Sequence, residues 1–201
     1  MAFFQYGSAE LEYLKKRDAR LGQAIDRIGR IERGVEPDLF TALVSCIVAQ
    51  QISSTAAVTV WKRVQGRFQP FTPHTLCAAT VETIQQCGMS TRKAGFIWNI
   101  ARAAAQGEIE LAGLADQSDE EVVQRLSALP GIGTWTAEMM LLFSLQRPDV
   151  VSWGDLGIRR GMMNLYGLEN LDKTQFEAYR QRYSPYGSVA SLYLWQIAVE
   201  T

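Results

Sequence analysis

The sequence predicts an all-α protein of roughly nine to eleven short helices. Three observations predict it. Apolar residues recur at intervals of three and four along nearly the whole of the 201-residue chain. Ser, Asp or Pro stands where several of these segments begin. The β-branched pairs Val122-Val123 and Val150-Val151 lack the bounded, alternating surroundings of a strand.

The elements follow in order. Leu11 and Leu14 mark a first helical segment, and Leu21, Ile25 and Ile28 a second. Pro37 to Gln50 opens with Pro and Asp and carries Leu39, Phe40, Leu43, Val44, Ile47 and Val48. Proline suits a first helical turn, where its missing N–H would have had no partner. Ser53 or Ser54 can cap a helix with Val58, Trp61 and Val64, and Ser90 one with Ala94, Ile97, Ile100 and Ala101. Ser118-Asp119-Glu120-Glu121 reads as a capping box with acids in the first turn, where the helix dipole favours them. Thr134 to Leu145 is strongly apolar, Leu156 to Tyr166 forms a further helix, and an aromatic helical tail ends over Leu192 to Val199. His74, the single histidine, follows Pro73 and reads as a turn residue. Trp61, Trp98 and Trp195 fall in apolar helical patterns and read as core.

Composition narrows the function classes. With 47 % hydrophobic and 20 % charged residues the chain is an ordinary globular protein. Its apolar runs, such as Leu141 to Leu145, are far shorter than the roughly 20 residues that span a bilayer, so no membrane association is expected. The first residues lack a basic segment followed by an apolar run, so no signal peptide is expected. Three cysteines (Cys46, Cys77, Cys87) make no disulfide framework and suggest a reducing compartment. A cytoplasmic location is therefore expected. A net charge of −1 rules against holding nucleic acid by bulk charge alone; any such binding needs local geometry.

Ser127-Ala-Leu-Pro-Gly-Ile-Gly-Thr-Trp-Thr-Ala137 supplies one such geometry. A helix ends near Ala128 and Pro130 cannot continue it. Gly131 and Gly133 let backbone N–H groups approach a ligand, and the next helix aims its positive end at the same place. An anion could be held there without a basic side chain. A tight αα turn with Ile132 in the core fits the same residues. Asp155 likewise has two readings. It can simply cap the helix Leu156 to Tyr166, or present its carboxylate at that helix end to something outside the helix. Gln50-Gln51 reads as a polar helix end. Arg92 and Lys93 read equally as solvated surface or as phosphate contacts.

Taken together, these segments resemble the helix–hairpin–helix DNA glycosylases, and among them the alkylbase branch typified by 3-methyladenine DNA glycosylase II. The resemblance rests on Asp18-Ala-Arg-Leu21 to Ile28-Gly29, on Phe40-Thr-Ala-Leu-Val-Ser-Cys-Ile-Val-Ala-Gln-Gln-Ile-Ser53, on Gly88-Met-Ser-Thr-Arg-Lys-Ala94, on Leu129-Pro-Gly-Ile-Gly-Thr-Trp-Thr-Ala137 and on Asp155-Leu-Gly-Ile-Arg-Arg160, in that order. It implies a single glycosylase domain over residues 1–201 with two helical lobes and a cleft between them. A barrel lobe would cover about 37–150, and a second lobe about 1–36 plus 151–201. The helix–hairpin–helix motif would lie at about 119–145. The mixed α/β N-terminal domain of longer members has no counterpart in these residues, so a more open groove is expected.

The resemblance also implies roles. Asp155 would be the catalytic acid, opposing the positive charge that grows on deoxyribose as the N-glycosidic bond breaks. At about 4 Å and an effective dielectric near 20, that attraction is about 4 kcal/mol, roughly a thousandfold in rate. Many relatives carry a second acid just before it, where this chain has Gly154. Trp135 would line the base pocket, and Tyr186 falls where a relative has a pocket Trp. Gln51 falls at the position that wedges into the duplex. The backbone of Gly131, Ile132, Gly133 and Thr134 would grip a DNA phosphate. The carbonyls of Ser127, Leu129 and Ile132 would hold a monovalent cation, Na+ or K+. No other cofactor is expected. Lyase-type members carry Lys where this chain has Trp135, so base removal without strand cleavage is expected. Iron–sulfur members need four late cysteines, and the last here is Cys87, so no cluster is expected. The implied partner is double-stranded DNA with a damaged base, an N-alkylated purine, bound by a monomer. The same scaffold could instead serve mismatched, deaminated or oxidised bases, or bind DNA without chemistry.

Overall fold

A computed structural model describes residues 2–200. A short antiparallel ladder pairs β1 (Ala2–Phe3) with β2 (Gly34–Val35). Between them lie α1 (Ser8–Arg17) and α2 (Ala19–Ile28). Then follow α3 (Leu39–Ala49), α4 (Ser54–Arg67), α5 (Pro73–Cys77), α6 (Val81–Gln85) and α7 (Thr91–Ala105). A 3-10 turn at Ala112–Asp116 leads to α8 (Asp119–Ser127) and α9 (Thr134–Phe143). The chain ends with α10 (Leu156–Tyr166), α11 (Lys173–Tyr183) and α12 (Gly187–Val199). The fold is all-α, as the periodicity predicts, but with twelve α-helices among the described residues where nine to eleven were expected, and with β1 and β2 as a further departure. At two residues each, these strands carry no alternation for a sequence to show.

The caps explain where the helices start. Ser53, Ser90 and Ser118 each accept a backbone N–H from the first turn of α4, α7 and α8, and Glu121 completes the capping box at Ser118. Asp38 caps α3 by accepting from the Thr41 amide at 2.7 Å. Pro37 therefore precedes the cap instead of filling the first turn. Thr72 caps α5 with Pro73 in the first helical turn, so His74 sits in a helix and not in a turn. Five-residue helices such as α5 and α6 offer too few positions for a 3.6-residue period to register.

Contacts divide the chain into two compact units, one built from residues up to Val35 and from Leu141 onward, the other from Glu36 to Met140. In the first unit Leu14, Leu21, Ile158, Met162, Phe176 and Tyr193 are fully buried. Here α10 and α12 pack backbone to backbone, for a Cβ at Gly161 would stand 1.9 Å from the Leu194 carbonyl oxygen. Asp18 is buried, caps α2, and accepts from the Tyr166 hydroxyl at 2.6 Å and from Arg182 at 3.3 Å. Burial and these neighbours push the Tyr166 phenol far above its ordinary range. A concavity of about 620 Å³ lined by Arg17, Arg20, Tyr179 and this network lies at the end of α10 away from Asp155. In the second unit Leu43, Ile47, Val64, Leu76, Ile84, Ile97, Ile100, Leu114 and Leu126 fill the core.

Candidate functional site

In the second unit, α8 ends at Ser127 and α9 begins at Thr134, with the hairpin between them. Its two glycines have different reasons to be there. Gly131 has φ +83°, and a Cβ on it would stand 2.3 Å from the Phe96 ring. It is required by the fold. Gly133 has no such backbone strain, and a Cβ there would meet nothing within 4 Å. Its missing side chain serves nothing inside the protein. Ile132 is buried at 4 % exposure, as the turn reading expects, and its N–H donates to the Leu129 carbonyl at 3.1 Å. That amide belongs to the turn, whereas Gly133 and Thr134 are exposed at the opening of α9. At the other side of the hairpin the Ser127 hydroxyl is buried and has no hydrogen-bond partner among the described residues. Together with the Leu129 carbonyl, this orphaned oxygen makes the stretch suited to a small cation.

Gln51 follows α3 at φ +55°, a left-handed conformation that costs a non-glycine residue roughly 1 kcal/mol or more. Two side chains hold the backbone there. Gln50 donates its amide to the Gly131 carbonyl at 2.9 Å, tying this loop to the hairpin. Lys93 donates to the Val48 carbonyl at 3.0 Å and to the Gln50 carbonyl. Lys93 therefore braces the end of α3, and its burial lowers its pKa. Arg92 lies over the Phe96 ring at 5.4 Å. Gln51 itself is exposed. Trp135, at 44 % exposure, is not a core residue.

In the first unit, Asp155 is 8 % exposed and caps α10. Its Oδ1 accepts from the Ile158 amide at 2.8 Å and from the Trp195 indole N–H at 2.9 Å. Trp195 is thus no plain core residue: it is half-buried and its polar edge meets the acid. The Trp195 ring stacks on Phe143 at the end of α9, with centroids 5.6 Å apart. Tyr186 stands just before α12, half-buried, with its ring edge-on to Tyr13 at 5.1 Å. Asp149 shapes the approach to it, accepting from the Ser184 hydroxyl and the Gly187 amide. Trp61 packs edge-on against Phe71, and Trp98 donates to the Ala79 carbonyl. Trp153 lies edge-on to Phe176 under the Arg159 guanidinium.

A buried aspartate on a helix end, a braced left-handed loop and a glycine hairpin are found along one chain whose residues 44–185 match the HhH-GPD superfamily of base excision DNA repair proteins. The chain belongs to that superfamily. It is 33 % identical over 164 residues to DNA-3-methyladenine glycosylase 1 of Schizosaccharomyces pombe, covering 78 % of this chain and 71 % of that protein. Its structure is similar to a DNA-3-methyladenine glycosidase from Bacillus halodurans, with TM-score 0.87, 35 % identity, and coverage of 100 % of this chain and 94 % of the other. A Schizosaccharomyces pombe 3-methyladenine DNA glycosylase in complex with abasic DNA superposes with TM-score 0.82 at 29 % identity, covering 94 % and 96 %. Among the described residues no helix is long and apolar enough to cross a membrane.

Of the predicted site residues, the structure brings Gln51 and the hairpin together in one unit, through Gln50 and Gly131. It places Asp155 and Tyr186 in the other. Sequence reasoning missed Trp195 as a polar partner. The signal available was general: a tryptophan in a buried helix must find an acceptor for its N–H, and the acid lies 40 residues away in sequence.

Proposed function

We propose that this chain is a monofunctional DNA glycosylase of base excision repair that hydrolyses the N-glycosidic bond of alkylated purines such as 3-methyladenine in duplex DNA. The observation that carries the reading is Asp155, a buried carboxylate pinned by two N–H donors, in a chain whose relatives carry 3-methyladenine glycosylase names. Such an acid has the right charge for the reaction. As the bond from C1′ to the base nitrogen breaks, its electron pair leaves with the base and the sugar becomes cationic. Asp155 stabilises that cation. A water oxygen then bonds to C1′ and releases its proton, giving an abasic site and the free base.

The other residues serve delivery. Gly133 and Thr134 present backbone N–H groups to a phosphate at the opening of α9, where the helix dipole is positive. Ser127, Leu129 and Ile132 would hold Na+ or K+ through their carbonyls, and the ion would add positive charge beneath that phosphate. Gln51 enters the duplex where the target nucleotide leaves it, offsetting part of the few kcal/mol lost in unstacking. Trp135 and Tyr186 offer aromatic faces, and an electron-poor alkylated purine stacks on these more strongly than a normal base. Trp135 stands where a Schiff-base lysine would be needed for lyase chemistry, so the strand is left uncut. The protein acts as a monomer.

A panel of duplexes, each with one methylated, deaminated, oxidised or mismatched base, tests this. Release of methylated purines with the strand intact until alkali is added is expected. Excision of only oxidised or mismatched bases, or of none, contradicts it.

A further inference from the structure

We propose that Trp195 is the positioning residue for Asp155: its indole N–H holds the carboxylate in one orientation before DNA arrives. The inference rests on Asp155 being the acid that faces the sugar. Capping α10 needs only one acceptor bond, and the Ile158 amide supplies it at 2.8 Å. The Trp195 bond, at 2.9 Å to the same Oδ1, is a second constraint that capping does not require. Two donors on one oxygen fix the plane of the carboxylate as well as its position.

The surroundings are shaped around this contact. Stacking on Phe143 at an interplanar angle of 26° sets the tilt of the indole. The Arg33 guanidinium lies over Phe143 at 5.1 Å, adding to that stack. Gly157 leaves the room: a Cβ there would stand 2.8 Å from Trp195 Cδ1 and 3.1 Å from Asp155 Oδ1. Any side chain at 157 would displace the acid, the indole, or both. A donor fixed beforehand spares the acid any reorganisation at the moment of reaction, which is where preorganised electrostatics gain their effect.

Trp195→Phe keeps a ring to stack on Phe143 and removes the N–H together with the five-membered half of the indole that carries it. Its single-turnover excision of 7-methylguanine from a duplex is expected to fall at least about tenfold, the scale of one hydrogen bond to a charged group. Its affinity for an abasic duplex is expected to stay within about twofold of wild type. Wild-type excision by Trp195→Phe overturns the proposal, as does a loss in which affinity falls as much as rate. An Asp155→Asn arm keeps the two claims apart: if that variant excises normally, the reading of the site is what fails. If Trp195→Phe does not fold, 15N-indole spectra of wild type and Asp155→Ala decide. The Trp195 N–H resonance moves upfield in Asp155→Ala if the bond exists, and an unmoved resonance overturns the proposal.

Discussion

Replacing Gly133 with alanine adds one methyl group to a place where the protein has nothing within 4 Å and where the backbone is not left-handed. Folding should therefore tolerate it. Gly→Ala at a compatible position stabilises by about 0.4–1 kcal/mol through the unfolded chain, or roughly 1–4 °C in Tm for a protein of this size. DNA binding should not tolerate it. In the proposed grip, the methyl stands where the phosphate would come within hydrogen-bonding distance of the backbone. Losing one charge-assisted bond of about 1.5–3 kcal/mol weakens affinity at least tenfold. Gly131→Ala is the internal control. Its φ of +83° costs about 1–2 kcal/mol in an alanine, and the 2.3 Å approach to Phe96 adds about 1–3 kcal/mol of overpacking. That variant should lose on the order of 10 °C in Tm. Thermal denaturation and fluorescence-anisotropy titration with an abasic duplex measure both quantities for both variants. The reasoning is refuted if Gly133→Ala binds the duplex as tightly as wild type, or if it loses as much stability as Gly131→Ala.

Further outcomes follow from the same geometry. Lys93→Met strips the donor from the Val48 and Gln50 carbonyls, so Tm should fall by several degrees and base flipping, read by 2-aminopurine fluorescence, should weaken; unchanged flipping would show that the Gln51 loop does not need its brace. Gly161→Ala forces a Cβ to within 1.9 Å of the Leu194 carbonyl oxygen, so it should destabilise by more than about 3 kcal/mol, and a normal denaturation midpoint would contradict the α10–α12 packing. Exchanging Na+ and K+ for tetramethylammonium at constant ionic strength should weaken duplex binding several-fold, and unaltered affinity would remove the cation from the hairpin's account.

Legibility in the sequence followed a physical rule. Features written in local spacing were readable: the serine caps of α4, α7 and α8, the glycine hairpin, and Asp155 at the head of α10. Each of these depends on residues within about four positions of one another. Features that depend on distant partners were not. Lys93 could be placed near a helix start, yet its reach to carbonyls 43 and 45 residues away is a packing result. Trp195 fell in an apolar stripe and looked like core; only the fold shows that its N–H edge is turned to an acid. The division of labour between the glycines was equally hidden, because Phe96 is what makes Gly131 obligatory while leaving Gly133 without an internal role.

The central claim is that the negative charge of Asp155 drives base loss. Asp155→Asn is its most direct test, because an asparagine Oδ1 can still accept from Ile158 and Trp195 while the charge is gone. Single-turnover excision of 7-methylguanine should fall roughly a thousandfold, matching about 4 kcal/mol of lost attraction, with abasic-duplex affinity retained. Excision at the wild-type rate by that variant would contradict the account.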